Sequence, residues 1–144
     1  MGYQFVSQDL QNGGMDHLWV LKHKSVLISS TVQGKQSVTV HTSMAGQCVK
    51  VTFVYASNSY IVRRDVWREL GDISGYGSHK WVVMCDFNTV LSRDEKTGDN
   101  INPTASSEFL QCIYQCNLSD VPLGRADFTL SRFTWNGWQV SKHE

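Results

Sequence analysis

Several features that would indicate a particular class of protein are missing from this sequence. Its 13 basic and 13 acidic side chains cancel, so the overall charge demands neither nucleic acid nor an anionic membrane, although a local basic face remains open. No apolar run is long enough to cross a bilayer, and the first residues lack the basic start and apolar centre of a signal peptide. We therefore expect a soluble, intracellular protein.

The cysteines do not form a metal-binding pattern. None of the four lies in a CxxC pair, and none of the five histidines is close in sequence to Cys112 and Cys116. Those two cysteines are four residues apart in a helical pattern, which places them on one face. We interpret them as buried reduced thiols, because free cysteine is among the residue types most often buried.

Length and composition indicate an ordinary globular domain. The 144 residues are 41% hydrophobic and 18% charged, with no internal repeat and no low-complexity segment. This length suffices for one hydrophobic core. We expect residues 1–144 to be one domain, or part of a larger one.

The pattern is rich in strand signals from 17 to 57. Four segments, HLWVL, SVLISSTV, QSVTVHTSM and CVKVTFVYAS, are dense in β-branched and aromatic residues and are separated by polar or glycine-bearing breaks. An antiparallel meander fits this pattern. In the last segment, alternation places Phe53 and Tyr55 on one face and Thr52 and Val54 on the other.

A helical period follows. An apolar stripe predicts a helix that ends near Leu70, before three glycines, with Asn58 or Ser59 as its N-cap and with Arg63 and Arg64 on a solvated face. The stripe consists of Ile61, Val62, Val66, Trp67 and Leu70.

The remaining pattern alternates between strand and helix. The short apolar run WVVMC predicts a central strand covered on both faces, and a helix is expected from 106 to 117. Short strand-like pieces close the chain. Strands followed by helix, strand and helix indicate an α+β layered domain with its sheet packed against helices.

The segment after the central strand contains Asp86, Phe87 and Asn88. Phosphodiester hydrolysis needs a carboxylate that orients and deprotonates water, a donor for the phosphoryl oxygens and a divalent cation. On an extended segment, Asp86 and Asn88 point to the same side and Phe87 points to the core. An Asp-x-Asn sequence is also a common polar turn, so the tripeptide alone leaves both interpretations open.

Longer motifs resemble those of one family. WVVMCDFNTVLSRDEKTG is similar to W-x-x-x-G-D-F-N-x-x-x-x-x-x-E-K-x-G of the endonuclease/exonuclease/phosphatase superfamily, which has the DNase I-like fold. VTFVYASNSYIVRRDVWREL resembles its T-x-V-Y-A-x-N-x-x-x-x-R-x-x-L-W-x-x-L segment, and GGMDHLWVL and the final FTWNG also match in order. The resemblance is strongest to endonuclease domains of LINE-type non-LTR retrotransposons of plants, and it spans nearly the whole chain.

The resemblance implies a DNase I-like layered β-sandwich with flanking helices, and a set of site residues. Asp86 matches the aspartate that positions or activates the attacking water, and Asn88 matches the asparagine that holds the scissile phosphate. Tyr55 matches a tyrosine beside the phosphate, with Asn58 as its companion. Intact relatives use Mg²⁺, nick DNA, and carry a reverse transcriptase on the same chain, so a nuclear location is also implied.

The chain departs from the family pattern in ways that bear on activity. The metal-binding asparagine and glutamate that precede the equivalent of Gly13 cannot be assigned, and neither can the final S-D-H motif, because His143 lies in a different context. We therefore expect an incomplete domain, truncated at both termini, and assign no metal ligand. Cys85 replaces the glycine before the aspartate, where a side chain crowds the strand or the approaching substrate.

Other residues match the family without an expected role in chemistry. Trp135 is interpreted as core packing and Asp120 as a turn or cap. The acidic loop with Asp94, Glu95 and Asp99 does not fit the calcium-binding EF-hand pattern and is interpreted as solvated.

Three functions follow as hypotheses. The first is a fragment of a Mg²⁺-dependent endonuclease with little or no activity alone. The second is a non-catalytic remnant that binds at most nucleic acid or protein. The third is another superfamily member, such as a phosphoinositide phosphatase or sphingomyelinase, which the FTWNG strand and the VYASN…RRDVW spacing disfavour.

Overall fold

The computed structural model describes residues 2–6, 18–76, 80–91, 101–119, 130–134 and 137–141. Within these ranges the chain is an α+β protein with a four-stranded sheet and two helices. The strands are β1 (Tyr3–Phe5), β2 (Leu21–His23), β3 (Ile28–Gln33), β4 (Ser37–Met44), β5 (Gln47–Tyr55), β6 (Lys80–Asp86), β7 (Leu130–Thr134) and β8 (Gly137–Ser141), and the helices are α1 (Tyr60–Ser74) and α2 (Pro103–Gln115).

The antiparallel meander predicted from the sequence is confirmed for β3, β4 and β5. Strands β3 and β4 pair with Val32 opposite Thr39, and β4 and β5 pair through their full length from Ser37 opposite Val54. The strand expected in HLWVL is displaced: β2 begins only at its last residue, Leu21, where it pairs with β1. Strands β7 and β8 form a separate antiparallel pair.

Two hydrophobic clusters lie on the two faces of the main sheet. The predicted alternation in β5 is confirmed, since Val54 belongs to the cluster beneath the helices and Phe53 packs against the cluster on the other face. The helix-side cluster contains Val54, Ala56, Val66, Leu70, Phe87, Phe109, Cys112 and Cys116, and the other contains Val20, Val38 and Val40.

Helix α1 differs from the prediction in its end and in its buried face. It continues through Gly71 to Ser74, because the first glycine is tolerated inside the helix and Gly75 is the C-cap. Ser59 is the N-cap residue by backbone geometry, with no side-chain capping hydrogen bond. Ile61 is 58% exposed, whereas Arg63 is buried together with Val66 and Leu70.

Strand β6 runs parallel to β5 and stands at the end of the sheet order β3-β4-β5-β6. The expectation of a central strand covered on both faces is therefore wrong for the described residues. Trp81 and Val83 pack against the helix-side cluster, but Val82 and Met84 on the opposite face are 39% and 40% exposed.

Helix α2 begins three residues before the predicted start. Asn102 is its N-cap, with a side-chain oxygen that accepts from the backbone N–H groups of Thr104 and Ala105, and Pro103 occupies the first turn. The helix ends at Gln115, with Cys116 as its C-cap and Asn117 next in the left-handed region at φ 52°. No helix in the described ranges is both long and apolar enough to span a membrane.

Candidate functional site

Parallel pairing brings the predicted site residues to one edge of the sheet. Tyr55 and Asp86 are register partners at the carboxyl ends of β5 and β6. Asn58 and Asn88 lie in the segments that follow these two strands. Ligands commonly bind beyond the carboxyl ends of parallel strands. All four predicted residues therefore lie along this edge, which we call the β5–β6 edge.

The face from which Tyr55 and Asp86 project follows from strand alternation. Tyr55 shares its face with Phe53, and Asp86 shares its face with Met84, on the side of the sheet opposite the helices. The Tyr55 side chain is 39% exposed and Asp86 is half-buried. A tyrosine and a carboxylate thus stand on adjacent strands at a surface that water and solutes reach.

Asp86, Phe87 and Asn88 form a polar turn. The Asn88 backbone N–H donates to Asp86 Oδ1 at 2.8 Å, and Asn88 adopts a left-handed conformation with φ 50°. The assumption that Asp86 and Asn88 share one extended segment is wrong, because β6 ends at Asp86. Phe87 points to the core as predicted and is 6% exposed.

The Asn88 side chain joins the two strand ends. Its Nδ2 donates to the backbone carbonyl of Ala56 at 2.5 Å, just after β5, and the Ala56 N–H donates to the Asp86 carbonyl at 2.8 Å. These two bonds continue the cross-strand pairing beyond the regular ladder. Asn88 is therefore a structural bridge in addition to being a predicted site residue.

Arg63 is the principal residue of this edge that sequence reasoning misplaced. Only 5% of it is exposed, and its Nη1 donates to the carbonyls of Ser57, Asn58 and Asn88 at 2.9, 3.3 and 2.6 Å. Burial lowers the pKa of Arg63, while the charges of Asp86 and Glu108 act in the opposite direction. One buried guanidinium therefore holds together the segments after β5 and β6.

The sequence did contain a signal for this arginine. Arg63, Val66 and Leu70 follow the i, i+3, i+7 spacing of one helical face, and these are the residues of α1 that are buried. A periodicity search restricted to apolar residues passes over an arginine at such a position. Arg64 lies on an exposed face as predicted, where it forms an ion pair with Glu108 at 2.5 Å.

Gln36 contributes to the edge from the turn between β3 and β4. Its Nε2 donates to the Val62 carbonyl at 2.9 Å, and its Oε1 accepts from the Ser57 N–H at 2.6 Å. Its own carbonyl accepts from the Tyr55 N–H at 3.0 Å. Gln36 thus fixes the chain at the point where β5 leads into α1, a role that its isolated position in the sequence did not indicate.

Metal binding depends on which ligand side chains converge at this edge. Within the described ranges, no group of three His, Cys, Asp or Glu side chains is placed to hold a metal ion. Mg²⁺ keeps several of its waters and is usually held by only one or two carboxylates together with the substrate, so Asp86 is the one carboxylate that the described part of this edge offers to such an ion. Asp94, Glu95, Asp99, Asp120, Trp135 and His143 lie outside the described residues.

Comparison with known proteins does not assign this chain to a family. No protein-family model and no curated protein matches it. Its α+β architecture is compatible with the resemblance found in the sequence, but folds of this class host many unrelated functions.

Proposed function

We propose that this chain carries part of the active site of a Mg²⁺-dependent phosphodiesterase of the DNase I-like class, similar to the endonuclease domains of LINE-type retrotransposons. The observation that supports it is the register pairing of Tyr55 with Asp86 at the β5–β6 edge. The sequence motifs match at these same residues. DNA is the proposed substrate.

In this proposal Asp86 provides the carboxylate. It is half-buried at the carboxyl end of β6, and a carboxylate at such a place can orient an attacking water and accept its proton. Tyr55 offers a phenolic O–H, which is suited to a phosphoryl oxygen. The Asn88 Oδ1 is an acceptor for the water or for a ligand, because its Nδ2 already donates to Ala56.

We further propose that the isolated chain has little or no nuclease activity. Mg²⁺, when bound, would supply charge that offsets the negative charge of the reacting phosphate, and the motifs that carry its asparagine and glutamate ligands in the resembling family are not matched in this sequence. Catalytic groups act as a unit, so we expect a chain in which the family's metal-ligand and S-D-H motifs are unmatched to lack most of the rate enhancement.

A plasmid-nicking assay in Mg²⁺ tests the activity. We expect wild type and Asp86→Ala to nick equally slowly, with Asp72→Ala on the exposed surface of α1 as a matched control. Nicking by wild type that disappears only in Asp86→Ala would contradict the proposed inactivity while supporting the site.

Binding tests the site separately from turnover. We expect a short DNA duplex, titrated into isotope-labelled protein, to shift the amide resonances of Tyr55, Asn58, Asp86 and Asn88 more than those of the rest of the chain. Asp72→Ala should leave these shifts unchanged. Saturable binding with shifts elsewhere, or no binding at all, would overturn the assignment of this edge.

One observation favours a second candidate, a non-catalytic remnant with at most a binding function. Asp86 and Asn88 both make hydrogen bonds that close the turn, which is a sufficient structural reason for this residue pair. Asp86→Asn distinguishes the two, since it keeps the Oδ1 acceptor and removes the charge. A turn-only role predicts unchanged stability and unchanged DNA affinity, whereas the phosphodiesterase site predicts altered affinity in Mg²⁺.

A further inference from the structure

Cys112 and Cys116 form a close pair of thiols away from the β5–β6 edge. Their sulfur atoms are 4.0 Å apart, and the Cys116 N–H donates to the Cys112 carbonyl at 2.9 Å, so the two residues are one turn apart at the end of α2. They are 3% and 7% exposed. The sequence-based interpretation of two buried thiols on one helical face is confirmed.

A buried lysine belongs to the same packed region, because it lies over Trp81, which packs against the cluster that contains both cysteines. Lys50 on β5 is 2% exposed, its Nζ donates to the Ile73 carbonyl at 2.6 Å, and it stands 4.5 Å from the centre of the Trp81 ring. Its position at the end of α1 brings a positive charge into the electrostatic environment of Cys116. The cluster therefore combines two thiols and an ammonium group within one packed region.

The two sulfurs are not equivalent. A hydrogen bond from the Cys112 thiol lowers the pKa of Cys116, and the Ser74 hydroxyl and the Lys50 charge act in the same direction against the effect of burial. The same hydrogen bond and burial raise the pKa of Cys112. Cys116 is therefore the sulfur that ionises first, and the thiolate is the nucleophilic form of cysteine.

We propose that Cys112 and Cys116 form an oxidation-sensitive dithiol, in which Cys116 reacts first with a hydroperoxide and Cys112 then closes an intrahelical disulfide. This modification site goes beyond the proposed nuclease function and does not depend on it. A small oxidant suits a sulfur that is 7% exposed.

The chemistry balances in two steps. With hydrogen peroxide, the Cys116 thiolate attacks one oxygen, so that an S–O bond forms, the O–O bond breaks, and the leaving hydroxide takes up a proton to become water; an organic hydroperoxide releases an alcohol instead. Cys112 then attacks the sulfenic sulfur, so that the S–S bond forms and the S–O bond breaks. The Cys112 proton leaves with that hydroxide as a second water, and the two thiols have together lost two electrons to the peroxide.

Helix geometry permits the bond with a local change. Positions i and i+4 of a helix have Cα atoms about 6 Å apart, within the range of a disulfide, but Cβ atoms about 5–6 Å apart instead of about 3.5–4.5 Å. The last turn of α2 must open slightly, and Cys116 is its C-cap, so only the end of the helix changes. A strained disulfide of this kind is readily reduced.

Peptide mapping of the reduced full-length chain after treatment with hydrogen peroxide tests the proposal. Trypsin leaves both sulfurs on one peptide, residues 97–125, because no lysine or arginine lies between them. We expect this peptide to lose two hydrogen atoms and to become resistant to alkylation, reversibly with dithiothreitol. Preferential oxidation of exposed Cys48, or crosslinks between chains, would overturn the proposal.

Two single variants test the order of attack. With Cys112→Ser, Cys116 should stop at a sulfenic acid that a 1,3-dione probe captures, whereas Cys116→Ser should leave Cys112 unlabelled. Cys48→Ser serves as the matched control and should oxidise as wild type does. Labelling of Cys112 in Cys116→Ser at the rate of Cys116 in Cys112→Ser would overturn the assignment of the attacking sulfur.

A third variant tests the contribution of the charge. Lys50→Met keeps the length of the apolar stem and should slow the first step by up to about tenfold, the effect of one nearby charge on an ionisation. Circular dichroism confirms that the variant is folded. An unchanged rate in folded Lys50→Met would remove the lysine from the proposal, while the wild-type mapping decides the dithiol itself.

Discussion

Tyr55 and Asp86 are register partners at the ends of two parallel strands, although a helix and a loop separate them in the chain. Parallel pairing requires such a crossover and places both strand ends at the same edge. Arg63 then connects the two segments that follow, through their carbonyl oxygens. The geometry of the candidate site therefore depends on one strand pairing and one buried cation.

Replacing Arg63 tests that dependence. Arg63→Met leaves the Ser57 and Asn88 carbonyls without their donor, so we expect the free energy of unfolding to fall by about 2–3 kcal/mol. Arg64→Met, at the exposed pair with Glu108, should cost much less, because water and salt screen an exposed ion pair. Urea denaturation measures both, and equal losses would show that Arg63 does not act as the buried connection.

Asn88 offers a test of the turn. In the left-handed region, Asn88→Ala loses the hydrogen bond to Ala56 and keeps a Cβ that disfavours this conformation, whereas Asn88→Gly loses the same bond and removes the Cβ. We expect the alanine variant to be less stable than the glycine variant by about 1 kcal/mol. Asn117, at φ 52°, is a matched position where the same order should hold. Equal stabilities of Asn88→Ala and Asn88→Gly, with the expected order still found at Asn117, would contradict the left-handed conformation of Asn88.

The aromatic cluster beneath the sheet should dominate core stability. The Phe109 ring centre lies 5.1 Å from that of Trp67 and 4.9 Å from that of Phe87. Phe109→Ala should therefore lower the free energy of unfolding by about 3–5 kcal/mol. Its neighbour Leu110 is 56% exposed, and Leu110→Ala should change the free energy of unfolding by about 0.5 kcal/mol or less. Chemical denaturation, followed by circular dichroism, compares the two variants. Similar losses of unfolding free energy would show that Phe109 is not a central residue of the core.

The thiol pair predicts a pH dependence of stability. Because the pKa of Cys116 is lowered, the unfolded chain holds more protons below the ordinary thiol pKa of about 8.5, and stability rises as pH approaches that value. Because the pKa of Cys112 is raised, the folded chain holds more protons than the unfolded chain at pH values above the ordinary thiol pKa, and stability falls as the pH rises further.

Subtraction isolates this effect from other titrating groups. We expect the unfolding free energy of reduced wild type, minus that of the double variant Cys112→Ser with Cys116→Ser, to pass through a maximum near pH 8.5. Lys50 faces the pair in both proteins, but burial lowers its pKa and the Cys116 charge raises it, so the titration of Lys50 contributes to the difference on the alkaline side. A difference that does not vary with pH would mean that the two thiols are not coupled.

Local sequence patterns predicted much of the fold. The meander of β3 to β5 and the alternation of Phe53 and Val54 followed from period-two hydrophobicity, and both helices followed from period-three-to-four spacing. The errors lie at the ends of the helices, where a single residue determines whether the helix continues. Gly71 was expected to end α1 and instead lies inside it, and Pro103 begins α2 earlier than the apolar stripe indicated.

Two features follow from the chain alone: the residue types at the strand ends, Tyr55, Asn58, Asp86 and Asn88, and the motif order that suggests a phosphodiesterase. The three-dimensional fold settled that Arg63 is buried, because burial of a guanidinium depends on carbonyl acceptors that distant segments provide. It also decided that Asn88 leaves the strand and donates to Ala56. Periodicity indicates which face of an element a residue occupies. Whether a polar side chain can be buried on that face depends on hydrogen-bond partners from distant parts of the chain.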